Sequence, residues 1–284
     1  MKRAALLALA AGACWHGGAG NGPRAAASDP RDDSLAYVPA DAQIVIVGDG
    51  ARMRASAAWK RIDAAFGDTL GPARGRFAAR CGYDPLGFER VTVGIKRLDA
   101  AQPSMVFVVR GIDPARLEAC LTGELRAVVT RDGDSWHVAM PFGHPMQLAT
   151  LGSTAVAYVG PDANAAALHA LLASGAPLRH DASFMQLAGE LPDDAAMWSI
   201  GRGLAWRGPA TFAAAITFDA GAAFVGRATF ADPGEADKMR SWASRIPSSI
   251  ATIEVAVDGA TARVHARLTA AQLDAIVRRP LNLF

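Results

Sequence analysis

The stretch from Ile253 to Leu268 constrains the fold most, because apolar and polar residues alternate on both sides of Asp258-Gly259. Asp-Gly between two alternating runs is the strongest short-range signal for a tight antiparallel hairpin. Side chains alternate across a strand, so Ile253, Val255 and Val257 share one side, while Arg263, His265 and Arg267 point away from Val264, Ala266 and Leu268. One face of this hairpin belongs to a core and the other to water.

The same grammar appears earlier in the chain. Val128 to Arg131, Asp132-Gly133 and Ser135 to Ala139 read as another hairpin. Phe107-Val108-Val109-Arg110 precedes Asp113-Pro114, and Phe224-Val225-Gly226-Arg227 precedes Asp232-Pro233. Asp caps a helix and Pro suits its first position, so both segments read as a strand entering a capped helix. Val38-Pro39-Ala40-Asp41-Ala42 ahead of Ile44 to Val47 is matched by Leu191-Pro192-Asp193-Asp194-Ala195 ahead of Met197 to Ile200. The expected fold is α+β: two related modules of antiparallel strands with capped helices packed on one face. The first module spans 35–178 and the second, smaller one 179–284, with the break near Ala176 to Asp181. Generic strand-and-turn composition is the alternative source of the repetition. The first module also carries an insertion from Arg52 to Phe88, with helical periodicity in Met53, Trp59, Ile62 and Phe66. A further strand pair, Gln147 to Leu151 and Ala155 to Val159, leads to a helix near Asp162 to Ala173.

The N-terminus reads as an export signal. Lys2 and Arg3 precede the short apolar run Ala4 to Ala11, and Ala11-Gly12-Ala13 leads to Cys14. The run is too short for a permanent span, which takes about 20 apolar residues. Residues 1–13 are therefore expected to be removed, leaving Cys14 first and open to acylation. An exported chain with an unused thiol is the alternative. Residues 14–34, rich in Gly, Ala, Pro and Asp, read as a flexible tether. Without Lys2 and Arg3 the basic residues equal the 27 acidic ones, and this neutrality argues against nucleic-acid binding.

Setting Cys14 aside, Cys81 and Cys120 form an even pair in an oxidising compartment. Cys81 follows a helical stretch begun by Pro72, and Cys120 shares an apolar helix face with Leu117 and Leu121. A disulfide is expected, with two buried thiols as the alternative.

No catalytic, cofactor or metal constellation is expected. Ile44 to Gly48-Asp49-Gly50 resembles the start of a dinucleotide-binding domain, yet the third glycine position is Met53 and the region beyond reads helical. A turn needing glycine is the better account. His137, His144, His169, His180 and His265 are dispersed, and His180-Asp181 lacks a nucleophile elbow. Arg52, Arg54, Lys60, Arg61, Arg74, Arg76 and Arg80 gather in the insertion, diluted by Asp63 and Asp68. Pro141 to Met146 is an apolar loop.

Tyr37-Val38-Pro39-Ala40-Asp41-Ala42, Cys81-Gly82-Tyr83-Asp84-Pro85-Leu86 and Arg110-Gly111 resemble segments of uncharacterised envelope lipoproteins of Gram-negative bacteria. The resemblance implies repeated α+β modules, a Cys81–Cys120 pairing and a periplasm-facing location. It favours the outer membrane, since Trp15 rather than Asp follows Cys14. The expected function is a lipid-tethered, non-enzymatic binding or scaffold module. Its expected partners are the membrane, through the N-terminal lipid, and an unknown envelope protein. A carrier of a small apolar or lipidic ligand is the alternative, followed by an unrecognised hydrolase.

Overall fold

The computed structural model describes residues 35–82, 84, 87–123, 129–139, 145–174, 177–204 and 208–278. Cys14, the signal, the tether and the core of the Pro141 to Met146 loop lie outside them. Twelve strands form one sheet: β1 (Ile44–Asp49), β2 (Arg90–Lys96), β3 (Ser104–Arg110), β4 (Val129–Asp132), β5 (Ser135–Val138), β6 (Met146–Leu151), β7 (Thr154–Val159), β8 (Met197–Arg202), β9 (Thr211–Phe218), β10 (Ala222–Thr229), β11 (Thr252–Asp258) and β12 (Thr261–Leu268). Their spatial order is β11-β12-β10-β9-β8-β1-β2-β3-β7-β6-β5-β4, with every neighbouring pair antiparallel.

The helices are α1 (Gly50–Ala55), α2 (Ala57–Cys81), α3 (Pro114–Thr122), α4 (Ala165–Leu172), α5 (Ala182–Gly189), α6 (Pro233–Ala243) and α7 (Ala270–Arg278), with a 3-10 turn over Pro177–His180. Side-chain oxygens cap most of them. Asp49, Asp113, Asp181 and Asp232 accept from backbone N–H groups of the first turns of α1, α3, α5 and α6, which removes part of the donor deficit at each helix start.

The helices cover both faces of the sheet, which corrects the expected one-sided layer. On the first face, Val45, Val47, Ile200, Ala213 and Ala215 pack with Leu35, Val38, Leu178 and Phe184. Beside them, Val106, Val108, Val156 and Tyr158 pack under Leu168 of α4. On the second face, Met53 and Trp59 of α1 and α2 meet Val109, Met197 and Phe218, and Leu117 and Leu121 of α3 meet Trp136 and Leu148. The reason is the continuous apolar run of β1: Ile44 and Ile46 point one way, Val45 and Val47 the other, so both sides need cover. At the far end, α6 packs against β11 and β12. Among the described residues only their second face is covered, for Ala262 and Val264 are buried while Arg263, His265 and Arg267 are exposed.

Helix α2 runs unbroken from Ala57 through Pro72 to Cys81, rather than starting at Pro72. Pro72 is exposed, and the helix is held by Trp59 against the sheet at one end and by Cys81 at the other. The sulfur atoms of Cys81 and Cys120 lie 1.97 Å apart, joining the ends of α2 and α3. The hairpins stand where the Asp-Gly turns place them, with Gly133 and Gly259 at φ values of 60° and 56°.

Candidate functional site

Gly50 begins α1 directly after β1, and its surroundings explain the Gly-x-Gly motif without a cofactor. Its N–H donates to the Glu89 carbonyl at 2.8 Å, and a Cβ there would sit 2.3 Å from the Phe88 carbonyl oxygen. Close backbone approach, rather than a left-handed turn, requires this glycine.

Beside α1, an open cleft of about 550 Å³ is lined by Arg52, Ser56, Asp194, Ala196, Phe218 and Asp219, among others. Its polar groups hold the junction of α1, α2 and the ends of β8 and β9. The Arg52 guanidinium lies 3.5 Å from the Asp49 carboxylate and donates to the Asp193 carbonyl oxygen. Ser56 Oγ accepts from the Trp59 N–H at 3.0 Å and donates to the Met53 carbonyl at 2.9 Å. Asp219 accepts from the Gly221 N–H at 2.6 Å through its carboxylate, and from the Ala58 N–H at 3.0 Å through its carbonyl.

The densest convergence of titratable groups lies at the end of β2, β3 and β7. Ser104 Oγ donates to Asp162 at 2.5 Å and Tyr158 Oη donates to its other oxygen at 2.7 Å. Lys96 Nζ stands 3.7 Å from Asp162, 3.9 Å from Asp41 and 5.2 Å from the centre of the Tyr158 ring. Burial acts against the Lys96 charge, but the Tyr158 hydroxyl and the two carboxylates outweigh it and raise the ammonium above its ordinary value. Burial raises the Tyr158 phenol, with the Asp162 charge adding to the effect. Burial also acts against the Asp162 charge, yet the Ser104 and Tyr158 hydroxyls hold the carboxyl below its usual range. Each group is thus driven further from neutrality, whereas proton transfer favours a group poised near the working pH. Ser104 is fully buried, so its oxygen faces no incoming substrate.

A second polar knot fastens the chain entry. Arg202 of β8 donates to the Ala42 carbonyl at 3.1 Å, to the Ala40 carbonyl and to the Asp181 carboxylate, and it lies 5.9 Å from the Phe184 ring centre. The Ser183 hydroxyl, the Phe184 N–H and Arg202 hold the Asp181 carboxyl far below its ordinary range. Asp181 therefore serves as a cap and an ion-pair partner, while its neighbour His180 is exposed.

The basic residues of the insertion do not form an unpaired patch. Arg61 pairs with Asp274 at 2.9 Å, Arg74 with Asp84 and Asp63, and Arg54 donates to the Phe88 carbonyl at 2.8 Å. Of the histidines, His137 lies 3.1 Å from Gln147, and His169 and His265 are exposed on separate elements. Among the described residues, no three His, Cys, Asp or Glu side chains are placed to hold a metal ion, and no helix is long and apolar enough to cross a membrane. The sequence offered one local hint of the Lys96 network, the spacing of Tyr158 and Asp162. Its other members meet only through strand order.

No family model matches the chain, and no curated protein matches it. The fold is similar to that of TP0453. One crystal form aligns with a TM-score of 0.55 and 8% identity, covering 87% of this chain and 98% of that one. A second form gives 0.53 and 8%, covering 88% and 98%. The likeness establishes a shared α+β architecture across 87–88% of this chain.

Proposed function

We propose that the chain is an exported envelope protein, lipid-anchored through Cys14 and facing the periplasm from the outer membrane. There it acts as a non-enzymatic binding or scaffold module. The observation that carries this reading is how the polar groups are used. Lys96, Ser104, Tyr158 and Asp162 lock three strands together, and Arg202 and Asp181 lock the chain entry. The chain thereby fastens one twelve-stranded sheet. The Cys81–Cys120 crosslink suits an oxidising compartment.

The repeat belongs to the same proposal. Outward from the β1–β8 pair, each direction holds one hairpin, β2–β3 or β9–β10, and then a second, β6–β7 or β11–β12, whose later strand lies inward. The module pairing then sets β6–β7, rather than β4–β5, against β11–β12, because β7 neighbours β3 as β12 neighbours β10. The β4–β5 hairpin is an addition to the first module.

A carrier of a small apolar ligand is the second reading, favoured by the half-buried Ile46, Phe107, Phe212, Ile216 and Phe224 on the second face. Native mass spectrometry of a Cys14→Ala mature chain, purified without detergent, separates the two. The scaffold reading predicts the bare polypeptide mass. A stoichiometric apolar adduct would put the carrier in its place.

A further inference from the structure

The two edges of the sheet are built differently. β4 is four residues long and ends in the exposed pair Arg131 and Asp132, which is how an edge strand is blunted against further pairing. β11, at the opposite edge, is seven residues long, pairs with β12 at every position without a bulge, and contains no Lys or Pro. It carries none of the common protections of an edge.

The turn over Gly259 and Ala260 fixes which backbone groups of β11 are free. Asp258 and Thr261 close this two-residue turn as a hydrogen-bonded pair. Such pairs alternate along an antiparallel ladder, so Ala256, Glu254 and Thr252 also bond to β12. Ile253, Val255 and Val257 therefore aim their N–H and C=O groups away from the sheet. Among the described residues no backbone or side chain partners them. A strand arriving in the plane of the sheet would satisfy all of them.

The sequence of β11 suits a second copy of itself in one register. An isologous antiparallel pair sets outward-facing residues against outward-facing residues. Centred on Glu254, the pair would put Glu254 opposite its own copy; centred on Ala256, it would put Glu254 opposite the partner's Asp258. Carboxylates directly opposite one another are destabilising. Centred on Val255, Ile253 meets the partner's Val257, Glu254 meets the partner's Ala256 and Thr252 meets the partner's Asp258. This register opposes no like charges, joins apolar residues on the second face, and pairs every free group of Ile253, Val255 and Val257.

Helix α6 lies on the second face against both β11 and β12, leaving the plane of the sheet open. A two-fold axis through Val255 sets two copies of α6 about 10 Å apart at the usual strand spacing, near the distance at which helices pack. We infer that β11 pairs with β11 of a second copy about Val255, giving a two-fold dimer with a single sheet running through both chains.

Sedimentation equilibrium of the Cys14→Ala mature chain over about 1–100 µM tests this, a range suited to a small interface. The substitution removes the thiol outside the Cys81–Cys120 pair, so a dimer is not a stray disulfide. A reversible dimer is expected, and native mass spectra should show twice the bare mass without a ligand. Ala256→Glu, at an exposed position, places two pairs of carboxylates in opposition and should weaken the dimer about tenfold. Adding Glu254→Lys to Ala256→Glu should restore it, because each new cation then faces a new carboxylate across the axis. Val255→Pro removes an outward N–H that the isolated chain does not use, and should leave a monomer. An unchanged thermal unfolding curve checks the fold of each variant at low concentration. A monomeric parent chain throughout the range, a larger assembly, a dimer indifferent to Ala256→Glu, or no recovery in the double variant would overturn the inference.

Discussion

At Gly50 two opposing effects can be weighed. Alanine favours a helix over glycine by about 1 kcal/mol, yet its Cβ would meet the Phe88 carbonyl oxygen at 2.3 Å. That oxygen is backbone and cannot rotate away, and overpacking costs typically 1–3 kcal/mol. Gly50→Ala is therefore expected to lower the urea midpoint despite the better helix former; a raised midpoint would show that the strand end gives way. Asp181 gives the second test at this scale. A carboxyl held below its unfolded value stabilises the fold above that value, and the contribution is lost as pH falls through the folded one. Asp181 and Asp162 are both held low, so their contributions are present at neutral pH and decline below about pH 4. Lys96 behaves oppositely: its contribution is lost only on the alkaline side, above the ordinary ammonium range. Asp181→Ala should cost about 1–2 kcal/mol at neutral pH through the lost cap. Asp181→Asn, which can still cap, should cost less and flatten the acid limb of a stability-against-pH curve.

Among the elements, α2 depends most on a tertiary fastening. Its Cys81 closes a separation of 39 residues to Cys120, which a chain-entropy model values at about 4 kcal/mol. Replacing both cysteines with serine should lower unfolding free energy by a few kcal/mol, and hydrogen exchange should rise first in the last turns of α2 and in α3. The chain spells out its hairpins and caps, because Asp258-Gly259, Asp132-Gly133 and the Asp-Pro pairs act through their immediate neighbours. The course of α2 through Pro72 is not spelled out, since it is decided by contacts at the two ends of the helix. Two-sided burial was legible in Ile44 to Val47, where unbroken hydrophobicity needs cover on both faces. A one-sided helix layer overlooks that run. Lys96 and Asp162 meet only because β2, β3 and β7 are neighbours, an order that no local pattern encodes.

The whole molecule turns on the β1–β8 pairing, which joins residues 35–178 to residues 179–284 through Ile44 opposite Gly201 and Gly48 opposite Met197. Splitting the chain there would leave two long apolar edges, which invite edge-to-edge association. Calorimetry should show one cooperative transition, and the separately produced halves should aggregate alone yet assemble when refolded together. Two well-separated transitions would show that the halves are independent. The export and anchoring of this sheet have the most direct test: intact mass and fractionation of the mature protein, compared with Cys14→Ala. The account predicts a chain that begins at Cys14, carries acyl groups and sediments with membranes, and a substituted chain without acyl groups that is released from them. A wild-type chain of unmodified mass outside the membrane fraction would contradict it.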